Sequence, residues 1–181
     1  MTMQVIMELN KKQVEISAQG PCEVFICYEN TNTEGSSPEW IRQYELPQLN
    51  EFAKITNKFK KTMFAHMCGN INLIIEEIAQ CEFQGIIDVT PPPTGDLDIA
   101  NAVRLMNRNG KLLAGGIECN VFSSYSDDEF KYSVKHLLEE IPQKSAFMLG
   151  SGDAVPKGTR IEKLLVAKEL LKCHATSFKE R

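Results

Sequence analysis

The 181-residue sequence lacks several features that would point to particular classes of protein. It has no apolar run near the roughly 20 residues that a membrane-spanning helix requires. It also has no cluster of basic residues of the kind that binds nucleic acid, and its net charge of −4 at pH 7 disfavours a polyanionic partner. We therefore expect a protein that binds neither membranes nor nucleic acid.

The cysteines and the N-terminus lack the usual signals of secretion or of a small zinc module. Six cysteines are present, but no two of them form a CxxC pair, which disfavours a zinc ribbon or a thioredoxin-like motif. The first stretch, MTMQVIMELNKKQ, has neither the basic segment nor the apolar core of a secretory signal. We therefore expect a cytoplasmic protein whose cysteines are thiols rather than disulfides.

The sequence does contain a repeated alternation of β-rich apolar runs and helical patterns. A composition of 43% hydrophobic and 24% charged residues suits one globular domain, which we expect over residues 1–181. The β-rich runs are CEVFICYE, TMFAHMC, GIIDVTP, KLLAGGIE and SAFMLGSGD. Such alternation indicates parallel strands with helical crossovers, in an open sheet or a (β/α)8 barrel, and no GxGxxG or GxxxxGK loop supports the open sheet. Because these strands are too few to close the usual barrel, we predict an α/β fold that is a partial (β/α)8 TIM barrel.

Local signals mark several helix boundaries. Ser126 and Glu129 form a capping box before an apolar helical pattern, and the TRIE motif beginning at Thr159 is a possible second box. Asp96 is predicted to cap the helix after the third strand, and Gly110 is placed to end that helix.

Polar residues stand at the carboxyl ends of the predicted strands, which is the edge where α/β sheets and barrels bind ligands. They are Glu29, Asn30, His66, Cys68, Asp88, Thr90, Glu118, Cys119 and Asp153. His66 and Cys68 are two residues apart, so in a strand their side chains share one face, and zinc accepts both imidazole nitrogen and thiolate sulfur. A purely structural role for His66 and Cys68 remains an alternative to metal binding, because short motifs match by chance. Free cysteines such as Cys119 are often buried packing residues.

Four longer segments carry a resemblance to a known family. In order and spacing, they resemble the C-terminal half of the uroporphyrinogen decarboxylase superfamily. The segments are YELPQLNEFAKITNKFKKTMFAHMCGN, GIIDVTPPPTGDLDIANAVRLM, KLLAGGIECNVFSSYSDDEF and FMLGSGDAVPKGTRIEKLLVAKELL, within residues 15–173. Family members are (β/α)8 barrels of roughly twice this length. The resemblance therefore implies that the chain begins near the fourth strand and lacks the first half of the barrel.

The resemblance is closest to the zinc-dependent methyltransferases, which move methyl groups between corrinoid proteins and thiols such as coenzyme M. In that branch a histidine and a cysteine spaced like His66 and Cys68 bind zinc, and a later cysteine or carboxylate completes the site. The methyltransferase motif PGCxxP corresponds to SGDAVP here, so Asp153 stands in place of the later cysteine. The implied cofactors are zinc, held by His66, Cys68 and Asp153, and a corrinoid on a partner protein. Glu118 is the reserve candidate for the third ligand, and we expect the catalytic carboxylates to be Asp153 and Glu118.

Two alternatives accompany the methyltransferase interpretation. The first is a uroporphyrinogen decarboxylase-like lyase of porphyrin biosynthesis, although the histidine of its LGHG motif corresponds to Ser151 here. The second is a non-catalytic remnant or one subunit of a split enzyme. Removing three strands from a closed barrel exposes sheet edges and apolar interior. We therefore expect self-association or pairing with a separate N-terminal half, besides binding of a small thiol or a corrinoid protein.

Overall fold

Five β-strands alternate with helices in the computed structural model, which describes residues 2–177. The strands are β1 (Val24–Cys27), β2 (Thr62–His66), β3 (Gly85–Val89), β4 (Leu112–Ile117) and β5 (Phe147–Ser151). The helices are α1 (Thr2–Ala18), α2 (Pro38–Trp40), α3 (Leu46–Lys58), α4 (Ile75–Gln80), α5 (Ile99–Arg108), α6 (Val121–Ser124), α7 (Asp127–Glu140) and α8 (Ile161–Ser177), with a π-helical turn at Ile41–Glu45 and a 3-10 turn at Asn72–Ile74. No helix within residues 2–177 has the length and apolarity needed to cross a membrane.

The strands form one parallel sheet in the order β1-β2-β3-β4-β5. Each strand therefore pairs with the next one along the chain, and the intervening helices return the chain to the same edge, as in a (β/α)8 barrel. The predicted α/β fold with a partial barrel architecture is confirmed. All five strands fall within the runs that the sequence predicted.

Within residues 2–177, helices cover one face of this sheet and leave the other without a helical layer. On the covered face Met63, Ala65, Ile86 and Leu113 are at most 2% exposed and pack into the main hydrophobic core. The alternate residues point to the opposite face, which we call the open face. Its exposed apolar residues are Val24 and Ile26 on β1, Tyr28 just after β1, and Met148 on β5, with exposed fractions between 42% and 72%.

The start of α7 agrees with the sequence prediction and the start of α8 does not. Ser126 and Glu129 form the predicted capping box, in which the Glu129 carboxylate accepts from the Ser126 backbone N–H at 2.8 Å. The second box, predicted at Thr159, is wrong. The Glu162 carboxylate instead forms an ion pair with Arg160, with 3.5 Å between Oε2 and Nε. The buried Thr159 hydroxyl has no hydrogen-bond partner among the described residues.

Two aspartates in the loop after β3 have different structural roles. Asp98 caps α5, because its Oδ1 accepts a backbone N–H in the first turn at 2.9 Å. The prediction that Asp96 is this cap is wrong. Asp96 Oδ1 instead accepts the backbone N–H groups of Ile71 at 2.8 Å and Asn72 at 3.0 Å. The Asp96 carboxylate therefore fastens the loop after β2, which carries Cys68, to the loop after β3.

We expect Asp96→Ala to lower the free energy of unfolding by about 2–3 kcal/mol, because two backbone donors lose a charged acceptor. Asp98→Ala should cost about 1 kcal/mol, the usual loss for a helix cap. Urea unfolding of both variants measures the difference. A loss from Asp98→Ala that equals or exceeds the loss from Asp96→Ala would contradict this assignment of the two carboxylates.

Candidate metal centre

Three side chains that could ligate a metal converge at the carboxyl edge of the sheet. His66 ends β2, Cys68 lies two residues further on, and Asp153 follows β5. One nitrogen, one sulfur and one oxygen atom from these residues all lie within 4.8 Å of one another. Within residues 2–177 this is the only group of three or more such side chains. They are the three residues that the sequence predicted as a metal site.

The convergence depends on a contact between β5 and β3, two strands that are not hydrogen-bonded neighbours. The Thr90 hydroxyl, just after β3, donates to the Gly152 carbonyl at 2.5 Å, and Gly152 N–H donates to the Ile117 carbonyl at 2.7 Å. A Cβ atom on Gly152 would lie 2.6 Å from Thr90 Oγ1 and 2.8 Å from Thr90 Cα. The sheet therefore curls, and only a glycine permits this approach, which places the next residue, Asp153, beside the end of β2.

The orientation of the His66 ring is fixed by a backbone carbonyl. His66 Nδ1 lies 2.9 Å from the Glu29 carbonyl oxygen. Because a carbonyl only accepts, Nδ1 carries the proton and Nε2 keeps its lone pair for a ligand. The Tyr28 ring packs 5.3 Å from the imidazole, centroid to centroid, and the His66 side chain is 12% exposed. The ring is thus held with one nitrogen facing the open face.

Asp88 is a further carboxylate at this centre, and the sequence placed it only among the polar residues at the carboxyl ends of the strands. Its Oδ2 lies 3.7 Å from His66 Nε2. Asp88 has a φ of 62° at a point where the pairing of β3 with β4 shifts register. Burial raises the pKa of Asp88, the His66 ring opposes this rise, and the Asp153 carboxylate adds to it. A left-handed backbone is uncommon outside glycine and tends to occur at functional sites, and a sequence pattern does not reveal it.

The Cys68 thiol lies in an environment that favours its protonated form. Burial raises the pKa of the Cys68 thiol, and the neighbouring Asp153 and Asp88 carboxylates raise it further. A divalent cation reverses this effect, because it stabilises the thiolate and neutralises the carboxylates. One imidazole, one thiolate and one carboxylate form a donor set that zinc accepts, with a fourth position left for a further ligand. The residues present therefore fit a zinc ion.

Glu118 and Cys119, at the end of β4, are not part of this group. The Glu118 carboxylate accepts from the Thr94 hydroxyl, from the Asn120 backbone N–H at 2.8 Å and from Asn120 Nδ2 at 2.9 Å. Glu118 also lines a separate pocket of about 590 Å³ between the loop after β3 and helix α7. Cys119 is buried, with its sulfur 3.8 Å from Ser151 Oγ. Of the two predicted carboxylates, the structure brings only Asp153 to His66 and Cys68.

Comparison with known proteins gives a family and a fold. Residues 1–173 match the family model described as Uroporphyrinogen decarboxylase (URO-D). No curated protein matches the sequence significantly. Among solved structures, the chain is similar to one titled "Crystal Structure of Citrate Synthase SbnG", with a TM-score of 0.51 and 11% identity over 91% of this chain and 70% of that chain. At this identity the similarity shows a shared fold only.

The Gly152 contact can be tested with a pair of glycine variants. Gly152→Ala should lower the free energy of unfolding by about 1–3 kcal/mol, because the added methyl group overlaps Thr90. Gly35→Ala is the control, since its Cβ would meet nothing closer than 3.6 Å. That variant should stay within about 0.5 kcal/mol of the parent protein. Equal stabilities of the two variants in urea unfolding would contradict the close approach of β5 to β3.

Proposed function

The chain belongs to the uroporphyrinogen decarboxylase family, and we propose that it is a methyltransferase-type member that transfers a methyl group from a corrinoid protein to a thiol at a zinc site. The observation that carries this proposal is the convergence of His66, Cys68 and Asp153 within 4.8 Å. A lone HxC pair is weak support for a metal site, because two ligands leave most of the coordination sphere undefined. A third donor from a distant strand makes the metal interpretation the better account of the three residues.

Each residue has a defined part in this proposal. His66 presents Nε2, because the Glu29 carbonyl engages Nδ1. Cys68 supplies the sulfur ligand, and Asp153 supplies an oxygen from an exposed position, so the centre stays open to a substrate. When bound, zinc supplies Lewis acidity that lowers the pKa of a substrate thiol and makes it a nucleophile at neutral pH. Tyr28 and the apolar residues of the open face flank the position from which a thiol would approach.

The alternative proposal is a uroporphyrinogen decarboxylase-like lyase of porphyrin biosynthesis. Ser151 stands where that branch has a histidine, and its Oγ lies 3.8 Å from the Cys119 sulfur. A second alternative is a non-catalytic remnant or one subunit of a split enzyme. The imidazole–thiolate–carboxylate group favours the methyltransferase type, since decarboxylation of a porphyrinogen makes no use of a thiolate ligand.

The proposed zinc site predicts how much zinc the protein contains and which variants bind zinc less tightly. Purified protein should contain about one zinc per chain, and Cys68→Ser, His66→Ala and Asp153→Asn should each lower zinc affinity at least tenfold, because a ligand is lost. Glu118→Gln is the matched control and should keep the metal, since Glu118 lies outside the group. Metal analysis after dialysis against a weak chelator measures all four. Zinc-free parent protein, or loss of zinc in Glu118→Gln alone, would contradict the site.

We also propose that the open face is covered by further strands, either from a second copy of the chain or from a separate N-terminal half. β1 and β5 are the two edges of the sheet, and each has one side without a strand partner among residues 2–177. Ile26 on β1 and Met148 on β5 are 42% and 58% exposed. Apolar area in contact with water costs roughly 25 cal/mol for each Å², and unpaired parallel edges invite strand pairing.

Light scattering coupled to size-exclusion chromatography tests this association. The chain should elute as a dimer or larger at micromolar concentration, and Ile26→Lys should shift it toward the monomer, because a charge then lies on the exposed edge strand. Tyr132→Lys is the control, since Tyr132 is 70% exposed on α7, away from the open face. A stable, well-folded parent monomer would show that the open face needs no cover.

A further inference from the structure

The charge around the candidate metal centre bears on which thiol it accepts. Beside the three ligand residues lies the Asp88 carboxylate, whose Oδ2 is 3.7 Å from His66 Nε2. The Asp88 side chain is 34% exposed, so it borders both the ligand atoms and the open face. A substrate that reaches His66, Cys68 and Asp153 from the open face must therefore pass beside this carboxylate.

The backbone holds Asp88 in this position. Its φ of 62° falls in the left-handed region, and the register shift between Ile86 and Val89 allows the strand to turn there. The Thr90 hydroxyl contacts the Asp88 carbonyl at 3.3 Å and the Gly152 carbonyl at 2.5 Å. Asp88 is thus fixed by the same contact that brings Asp153 to the centre. The backbone therefore starts the Asp88 side chain beside the ligand residues, and its carboxylate reaches His66 Nε2 at 3.7 Å.

The other ionisable groups near the centre do not offset this negative charge. Asp153 is acidic, Cys68 and Cys119 are thiols whose pKa is raised by burial and by Asp153, and the ring of His66 is the sole basic group that acts on Asp88. Within residues 2–177, no lysine or arginine forms an ion pair with Asp88 or Asp153. If zinc were bound, the Cys68 thiolate and the Asp153 carboxylate would balance its two positive charges, and the Asp88 carboxylate would add one uncompensated negative charge.

We propose that Asp88 is a specificity-determining residue that makes the centre prefer an aminothiol over an anionic thiol. This inference rests on the proposed function, because it concerns the substrate of the same site. An ammonium group two carbons from the sulfur would come within several Å of Asp88 if the sulfur bound at the open position of the metal. A sulfonate or carboxylate in the same place meets the carboxylate instead. An uncharged thiol should bind with intermediate affinity.

Three small thiols test the proposal, because they share an HS–CH2–CH2 unit and differ in charge. They are cysteamine, 2-mercaptoethanol and 2-mercaptoethanesulfonate. The chain is loaded with Co2+, and thiol binding is followed at pH 8 and low salt by the rise in sulfur-to-cobalt charge-transfer absorption. Cysteamine should bind at least roughly tenfold more tightly than the sulfonate, because the attraction and the repulsion of unit charges about 6 Å apart together give that ratio even at the dielectric constant of water. Added salt should reduce the ratio.

Two variants separate the effect of Asp88 from differences in thiol acidity. Asp88→Asn removes the charge and keeps a residue that tolerates a left-handed backbone. The ratio of cysteamine affinity to sulfonate affinity should therefore fall to about the value that the different acidities of the two thiols give. Asp128→Asn makes the same charge change in the first turn of α7 and should leave the preference unchanged. A preference for the sulfonate, or an unaltered ratio in Asp88→Asn, would overturn the inference alone. Before any thiol is added, the Co2+-loaded chain should show sulfur-to-cobalt absorption that Cys68→Ser removes. If it does not, the proposed metal function fails, and the inference fails with it.

Discussion

The hydrogen bond from Thr90 to the Gly152 carbonyl is the contact on which the candidate site depends. Neighbouring strands lie about 4.8 Å apart, so in a flat sheet β5 would be roughly 14 Å from β2. The observed ligand atoms of His66, Cys68 and Asp153 lie within 4.8 Å of one another. Curling of the sheet accounts for this difference. The 2.5 Å hydrogen bond from Thr90 to Gly152 joins the ends of β3 and β5, the two strands that flank β4. A partial barrel can therefore assemble a site that a flat five-stranded sheet could not.

Backbone groups and buried side chains hold the rest of the centre in place. The Glu29 carbonyl fixes the His66 ring, and Asp96 fastens the loop that follows Cys68. Asp88 depends on the register shift in β3 and on Thr90. Each ligand thus sits on a strand end or on a loop that is tied to a neighbouring strand. Preorganisation of this kind lowers the cost of arranging three ligands around one ion.

The sequence predicted the parts of this structure that are written in local patterns. The five strands, the parallel order and the capping box at Ser126 follow from periodicity and spacing. The predicted cap at Asp96 is wrong, because Asp96 and Asp98 in GDLD both have a spacing that suits a cap and only the tertiary contact of Asp96 with Ile71 separates them. The choice of Asp153 over Glu118, and the left-handed backbone of Asp88, depend on how far the sheet curls, which no local pattern encodes. The HxC motif marked the position of the site, whereas its third member, Asp153, was predicted from the family resemblance and its approach to His66 and Cys68 is seen only in the fold.

The proposed function makes one central claim, that a single zinc ion binds to one imidazole, one thiolate and one carboxylate. X-ray absorption at the zinc edge of the loaded protein tests this most directly, because it counts sulfur and lighter ligands separately. The account predicts one sulfur at about 2.3 Å and a shell of nitrogen and oxygen near 2.0–2.1 Å, with the sulfur lost in Cys68→Ser. Two or more sulfur ligands from the protein, or no sulfur at all, would contradict it.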